Sequence, residues 1–295
     1  MRICIVGDTG SGTADQYAVS EIIKRYHDTN KLKAILLLGD NIYEDGVNDV
    51  NDEQFHTKFE LPYNDIDVPF YLLLGNHDYA NLSGTHAYNA HAVHQVKYDK
   101  LSSKWNMPQR YYSLKLGNCE FFMLDTNLDN MTKPEIDKQI HYMKKKIKTS
   151  KKKNKFLCGH HTWRSTGGHG NADPQFEKFM RRIAAGTNIK AYFCGHDHCK
   201  NHIVIPFPTM KKTLRTSTRK TMRKSKKKLH IYVIGTGGKY MDESHLDEKQ
   251  IRYPDKLMYQ DADLGFIILE NKGNQLSIQM HSIDNYPNNS YKNII

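Results

Sequence analysis

Seven short apolar runs punctuate the chain, at 3–6, 34–38, 70–74, 121–124, 156–158, 191–194 and 231–234, and six of them end directly in glycine. None alternates with polar residues, the pattern of strands buried on both faces. The residues after the glycines are the constraint: Asp8 after Gly7, Asp40 after Gly39, Asn76-His77 after Gly75, His160 after Gly159, and His196-Asp197-His198 after Gly195. Ligands of open α/β sheets gather at the carboxyl ends of the strands. Five strand ends carrying oxygen and imidazole donors are therefore expected to converge on one point. Between the runs, Ala14, Tyr17, Ala18, Ile22 and Tyr26 form one helical stripe, and Ile136, Ile140, Met143 and Ile147 another, with Pro134 in its first turn. Strands alternating with helices predict a layered α/β fold. Runs 264–270 and 275–281 around Lys272-Gly273-Asn274 predict a hairpin, hence some antiparallel pairing. There is no internal repeat; one domain over 1–295 is expected.

Charge needs locating before it is interpreted. The formal net charge is +11, but residues 207–228 hold ten Lys or Arg and no acid, which leaves 11 − 10 = +1 for the rest. A second basic run, Lys144 to Lys155, adds eight positive charges at the end of a predicted helix. The stretch 207–228 reads as an exposed basic loop inserted between two strands, a docking arm for a polyanion or nucleic acid at most; it lacks the interleaved aromatics that stack bases. At 295 residues, 38% apolar and 25% charged, the chain has enough surface to bury a core and no apolar run of membrane-spanning length. Met1-Arg2 leads straight into Ile3–Val6, without the apolar stretch of a signal peptide. Five cysteines, four of them in or beside apolar runs, read as reduced core thiols, so the cytoplasm or another reducing compartment is expected. A monomer without membrane contact is expected.

Carboxylate, amide and imidazole donors without thiolate suit iron, zinc or manganese. There are more candidates than one ion needs, which favours two ions sharing a carboxylate such as Asp40. Paired ions clamp a phosphoryl oxygen and turn bound water into hydroxide at ordinary pH, a site for in-line attack at phosphorus.

The blocks Gly7-Asp8-Thr9-Gly10, Gly39-Asp40-Asn41-Ile42-Tyr43, Gly75-Asn76-His77-Asp78, Gly159-His160 and Gly195-His196-Asp197-His198 resemble the metallophosphoesterases. Position 10, where most of that superfamily has histidine, is glycine. Tyr43, three residues after Asp40, instead matches the tyrosinate of purple acid phosphatases, in their small mammalian-type, tartrate-resistant branch. The resemblance implies a layered α/β/β/α sandwich with mixed sheets flanked by helices. It implies two metal ions: ferric iron held by Asp8, Tyr43 and His198, and a divalent ion (Fe, Zn or Mn) held by Asn76, His160 and His196, with Asp40 bridging. His77 and His169 match histidines that orient phosphate or protonate the leaving group. The implied activity is a phosphatase that hydrolyses phosphomonoesters by attack of metal-bound hydroxide, acting on a phosphorylated small molecule or a phosphoprotein. Three features depart from the family. Thr9 replaces an aromatic, His161-Thr162 replace Tyr-Pro, and the long loop expected between Asp125 and Pro134 is absent.

Other chemistries fit less well. Asp8-Thr9-Gly10-Ser11 resembles the aspartic-protease tetrapeptide, but no second copy supplies the partner carboxylate. The glycine-rich 7–12 and 235–238 lack the Gly-Lys-Ser/Thr ending of a phosphate-binding loop. Two alternatives remain: a phosphodiesterase on nucleic acid or nucleotides docked by the basic loop, and a phosphate-binding protein without catalysis.

Overall fold

The computed structural model describes residues 1–80, 90–208, 226–273 and 275–295. The chain first lays down β1 (Arg2–Val6), α1 (Ala14–Asn30), β2 (Ala34–Leu37), β3 (Phe70–Leu72), α2 (Ala90–Tyr98) and β4 (Trp105–Asn106). It continues through β5 (Tyr112–Leu116), β6 (Cys119–Met123), α3 (Lys133–Thr149), β7 (Asn154–Cys158), α4 (Pro174–Ala184), β8 (Ala191–Cys194), β9 (Lys200–Pro208) and β10 (Lys226–Ile234). It closes with β11 (Lys256–Asp261), β12 (Gly265–Lys272), β13 (Gln275–Ser282) and β14 (Tyr291–Ile294). Two seven-stranded sheets result, in the orders β14-β13-β12-β1-β2-β3-β4 and β11-β9-β10-β8-β7-β6-β5. Each is mixed: β1 to β4 run parallel while β12 to β14 meander antiparallel beside them, and β6, β7, β8 and β10 run parallel between antiparallel edges. This is the layered α/β/β/α sandwich that the resemblance implied.

All seven apolar runs lie in or end strands, and both helical stripes are helices. The continuous apolar runs are explained by two cores. In the second sheet Phe121, Phe156, Phe193 and Tyr232 face inward to the core shared by the sheets. Their neighbours Phe122, Leu157, Tyr192 and Ile231 face outward, against Ile140, Met143 and Ile147 of α3 and Phe176, Phe179 and Met180 of α4. A strand with helices on one face and a sheet on the other has no polar side to present. α3 begins at Thr132, whose backbone N–H donates to Glu135 at 2.7 Å, with Pro134 in the first turn. α4 begins at Asp173, whose carboxylate accepts from Phe176 N at 2.7 Å. The hairpin pairs Lys272 with Gln275, and Gly273 supplies the left-handed residue at φ +62°.

The basic loop is shorter than its sequence suggested. Phe207 and Pro208 pair with Lys227 and Lys226, so both ends of 207–228 belong to β9 and β10, and 209–225 lie outside the described residues. Strand pairing of these backbones, with Phe207 buried, overrides the run's polar composition. All five cysteines are free and buried. No described helix is long and apolar enough to cross a membrane.

Candidate metal centre

The two sheets meet at the carboxyl ends of their parallel strands, where Gly7 N after β1 donates to Ile234 O at the end of β10, 2.8 Å away. Here the terminal glycines have a steric reason. A Cβ at Gly75 would stand 2.1 Å from Asp40 Oδ1, and one at Gly195 2.2 Å from Asp8 Oδ2. Each glycine vacates space for the carboxylate of a neighbouring strand. The residues after the glycines turn sharply: Asp8, Asp40 and His196 adopt φ of 60°, 52° and 71°, a region non-glycine residues rarely occupy. Such backbone persists only where its surroundings over-determine it, and it clusters at functional sites.

All nine residues singled out from the sequence come together. Asp8 Oδ1 accepts from the Tyr43 hydroxyl at 3.1 Å and lies 3.5 Å from His198 Nε2, which is 3.4 Å from the same hydroxyl. On the other side His160 Nε2 lies 3.0 Å from Asn76 Oδ1, 3.1 Å from His196 Nδ1 and 3.3 Å from Asp40 Oδ2. Ligand atoms of Asp8, Asp40 and His160 all fall within 4.8 Å of one another. Backbone donors hold the carboxylates: His196 N to Asp8 Oδ2 at 2.9 Å, and His77 N to Asp40 Oδ1 at 3.0 Å. His160 Nδ1 bonds Leu38 O at 2.9 Å, which fixes the ring with Nε2 toward the centre. The His77 ring lies beside Tyr43 at 4.4 Å, with Nδ1 on Glu44 O. His169 stacks on His196 at 3.9 Å from an exposed loop.

The electrostatics fit a cation. Asp8 and Asp40 are buried together, and two ionised carboxylates at that spacing need positive charge between them. Burial opposes ionisation of Asp40, yet His160 and His77 hold its carboxyl below the usual range. Burial likewise opposes charge on His160, but Asp40 and Asp8 raise it to about 9. Tyr43 is pushed well above the ordinary phenol value by burial and then by Asp8 and Asp40. Only a strong cation at those carboxylates would favour its phenolate. Two carboxylates, three imidazoles, a phenol and an amide oxygen, with no thiolate, form a donor set that iron, zinc and manganese accept.

Three supporting carboxylates were visible in the sequence without a role assigned. Asp78, in the Gly-Asn-His-Asp block, accepts from Asn41 N at 2.9 Å, Gly75 N at 2.8 Å and Gln95 Nε2 at 2.8 Å, so it ties two strand-end loops together. Burial and Asp40 raise it to about 6. Asp197 accepts from His169 N at 2.8 Å and Gly170 N at 3.2 Å, anchoring the loop that carries His169. Asp125, buried, accepts from Tyr79 and Arg110 at 2.6 and 2.8 Å. Short-range sequence patterns do not register such partners, because most of them lie 15 to 46 residues away. His161, the unexpected imidazole, bonds Thr126 Oγ1 at 2.8 Å and lines a 240 Å³ cleft with His169, His196, Asp129 and Phe176.

A two-sheet sandwich with metal-competent residues at facing strand ends defines the class, and comparison with known proteins places it. Residues 1–200 match the calcineurin-like phosphoesterase model, and the chain belongs to that family. It is 32% identical to tartrate-resistant acid phosphatase type 5 of Rattus norvegicus over 227 residues, covering 67% of this chain and 66% of that enzyme, just under two thirds of its length. Among solved structures, purple acid phosphatase PPD1 from yellow lupin superposes with a TM-score of 0.72 at 17% identity, over 100% of this chain and 53% of that one. GAP50, the anchor in the inner membrane complex of Plasmodium, superposes with a TM-score of 0.75 at 18% identity, over 99% and 87%.

Proposed function

We propose that this protein is a dinuclear-metal phosphatase acting on phosphomonoesters, with Asp8, Tyr43 and His198 holding ferric iron, Asn76, His160 and His196 holding a divalent ion, and Asp40 shared. The observation that carries this reading is the partition of the cluster. Tyr43 and His198 gather on Asp8, Asn76 and His196 gather on His160, and Asp40 stands between. Two ions bound there would supply Lewis acidity to the phosphoryl group and to the attacking water. The chain's own residues do the rest. His77, held by Glu44 O, and His169, held against His196, flank the centre as imidazoles that orient the phosphoryl oxygens and hand a proton to the departing alkoxide. The cleft along His161 and Phe176 gives the leaving group a place beside His169. The similarity to tartrate-resistant acid phosphatase supports the monoester reading.

The deciding experiment compares kcat/KM for an aryl phosphate monoester and its diester on protein carrying its native metals. A ratio well above one is expected. A ratio below one would replace the reading with a phosphodiesterase, and failure on both with two metals bound would sink it.

A further inference from the structure

The strands that bring the site together also have amino ends, and those ends gather a different set of residues. β7, β8 and β10 run parallel, so Lys155, Lys190 and Lys227 stand near one another at the edge opposite His160 and His196. Five residues of strand, roughly 17 Å, separate the two edges. The basic run after β6 ends at the same edge, because α3 returns from the carboxyl end of β6 to the amino end of β7. The chain also leaves β9 at Pro208 and re-enters β10 at Lys226 here. The first basic run and the described ends of the second, separate in sequence, therefore meet at one end of the molecule.

Between α3 and α4 this end carries a groove of 1160 Å³, whose lining includes His141, Lys144, Lys145, Lys148 and Arg182. Asp137 is the only acid among the described residues that line it, and Arg182 already bridges it at 2.7 Å. Cations in the last turn of a helix often do no more than complement its carbonyls. Here Lys155 does that, donating to Ile147 O at 3.0 Å and Ser150 O at 2.9 Å. Lys144, Lys145 and Lys148 remain exposed to solvent. Keeping the strand-start lysines close has a cost within the fold: burial and then Lys190 and Lys155 depress Lys227, and burial and then Lys153 depress Lys190. A surface that holds like charges together this way suits an anionic partner.

The chemistry narrows that partner. Lysines outnumber arginines in the groove, and lysine binds phosphate as a point charge without the fork that reads bases. Among the described residues, no Phe, Tyr or Trp lines the groove to stack an unpaired base. None of their exposed large apolar side chains lies in it to wedge into a lipid surface, and a concave cleft does not match a flat one. We propose that the α3–α4 groove and the lysines at its mouth dock the sugar–phosphate backbone of duplex nucleic acid, at the end of the molecule opposite the metal-competent residues. The surface tethers the protein and leaves the catalytic mouth free; it does not deliver the docked strand to the site.

The test is fluorescence anisotropy with a labelled duplex of roughly 20 base pairs at about 50 and about 200 mM salt, with turnover of an aryl phosphate monoester followed in parallel. The Lys144→Glu/Lys145→Glu/Lys148→Glu variant should bind at least about tenfold more weakly and lose about 3 from the magnitude of its log–log salt slope, with turnover unchanged. Should that helix prove unstable by circular dichroism, Lys227→Glu, outside α3 and beside Lys155 of the groove, should weaken binding in the same direction. Equal affinity of wild type and variant overturns the proposal. So does wild-type binding to phosphatidylserine vesicles without binding to the duplex, which would make the surface a membrane contact.

Discussion

His160 at one end of the sandwich and His230 at the other are driven in opposite directions. At the carboxyl ends, His160 is raised to about 9 by Asp40 and Asp8 against the opposition of burial. Toward the amino ends, His230 is lowered to about 4, by burial and then by Lys228 and Lys190. Its partner His202, 2.9 Å away, is lowered to about 3 by burial and then by His230. The His160 ring is thus poised to stay charged, or to exchange its proton for a metal, and the His202 and His230 rings to stay neutral. The difference lies in what surrounds each ring. Opposite charges interlocked through backbone donors fix atoms to within a fraction of an ångström and suit chemistry. Like charges on flexible stems fix little and suit a partner whose phosphates recur along a backbone.

The largest effect that would test this contrast is at the end that carries the metal-competent residues. Asp40→Asn should lower kcat/KM for an aryl phosphate by at least about a thousandfold and reduce bound metal on elemental analysis. It should leave duplex binding at the other end unchanged. A variant that kept its metals and its rate would remove Asp40 from the centre. Next comes Gly75→Ala, which introduces a methyl 2.1 Å from Asp40 Oδ1. Metal affinity should fall by about ten- to a hundredfold and stability by about 1–3 kcal/mol, read by metal titration and urea unfolding. An unaffected variant would mean that the terminal glycines are only turns.

The last test is at the amino end. His202 and His230 sit at about 3 and 4 in the fold, against 6.5 for an ordinary imidazole. A depressed folded value means that the unfolded chain binds protons first as pH falls. Stability is therefore full above pH 6.5 and is lost between there and about 4. Unfolding free energies measured by urea titration from pH 7 downward should drop by up to about 1.4 kcal/mol per pH unit for each histidine involved, and His230→Asn should flatten the curve. Stability independent of pH across that window would show that these rings are not held neutral.

Much of the site was legible because its residues sit at punctuated places. A glycine after an apolar run marks a strand end whatever the strand's neighbours, and the next residue is the one that faces the crevice. That rule found Asp8, Asp40, Asn76, His77, His160 and His196 from sequence. Tyr43 and His198 follow within four residues of such a glycine, and the roles of Tyr43 and His169 came from the family resemblance. The less regular elements were less legible. α2 and α4 escaped the periodicity reading, and so did β4, β5, β9, β11 and β14, all edge or near-edge strands whose pairing partner, rather than their own pattern, makes them strands. Asp78, Asp125 and Asp197 look in the sequence like any other acids until the loops they tie are brought together.

Which residues stand at strand ends is settled locally, because apolar runs, glycines and helix caps act over a few residues and carry their own signal. What those ends face is settled only when the two sheets pack. The Gly75 hydrogen makes room for Asp40, His160 closes on Asn76 and His196, and Lys155 comes beside Lys227, seventy-two residues later, at one edge. Proximity between distant segments is set by the order and direction of strands in two sheets, and strand order is written in pairing across the whole chain rather than in any one stretch of it.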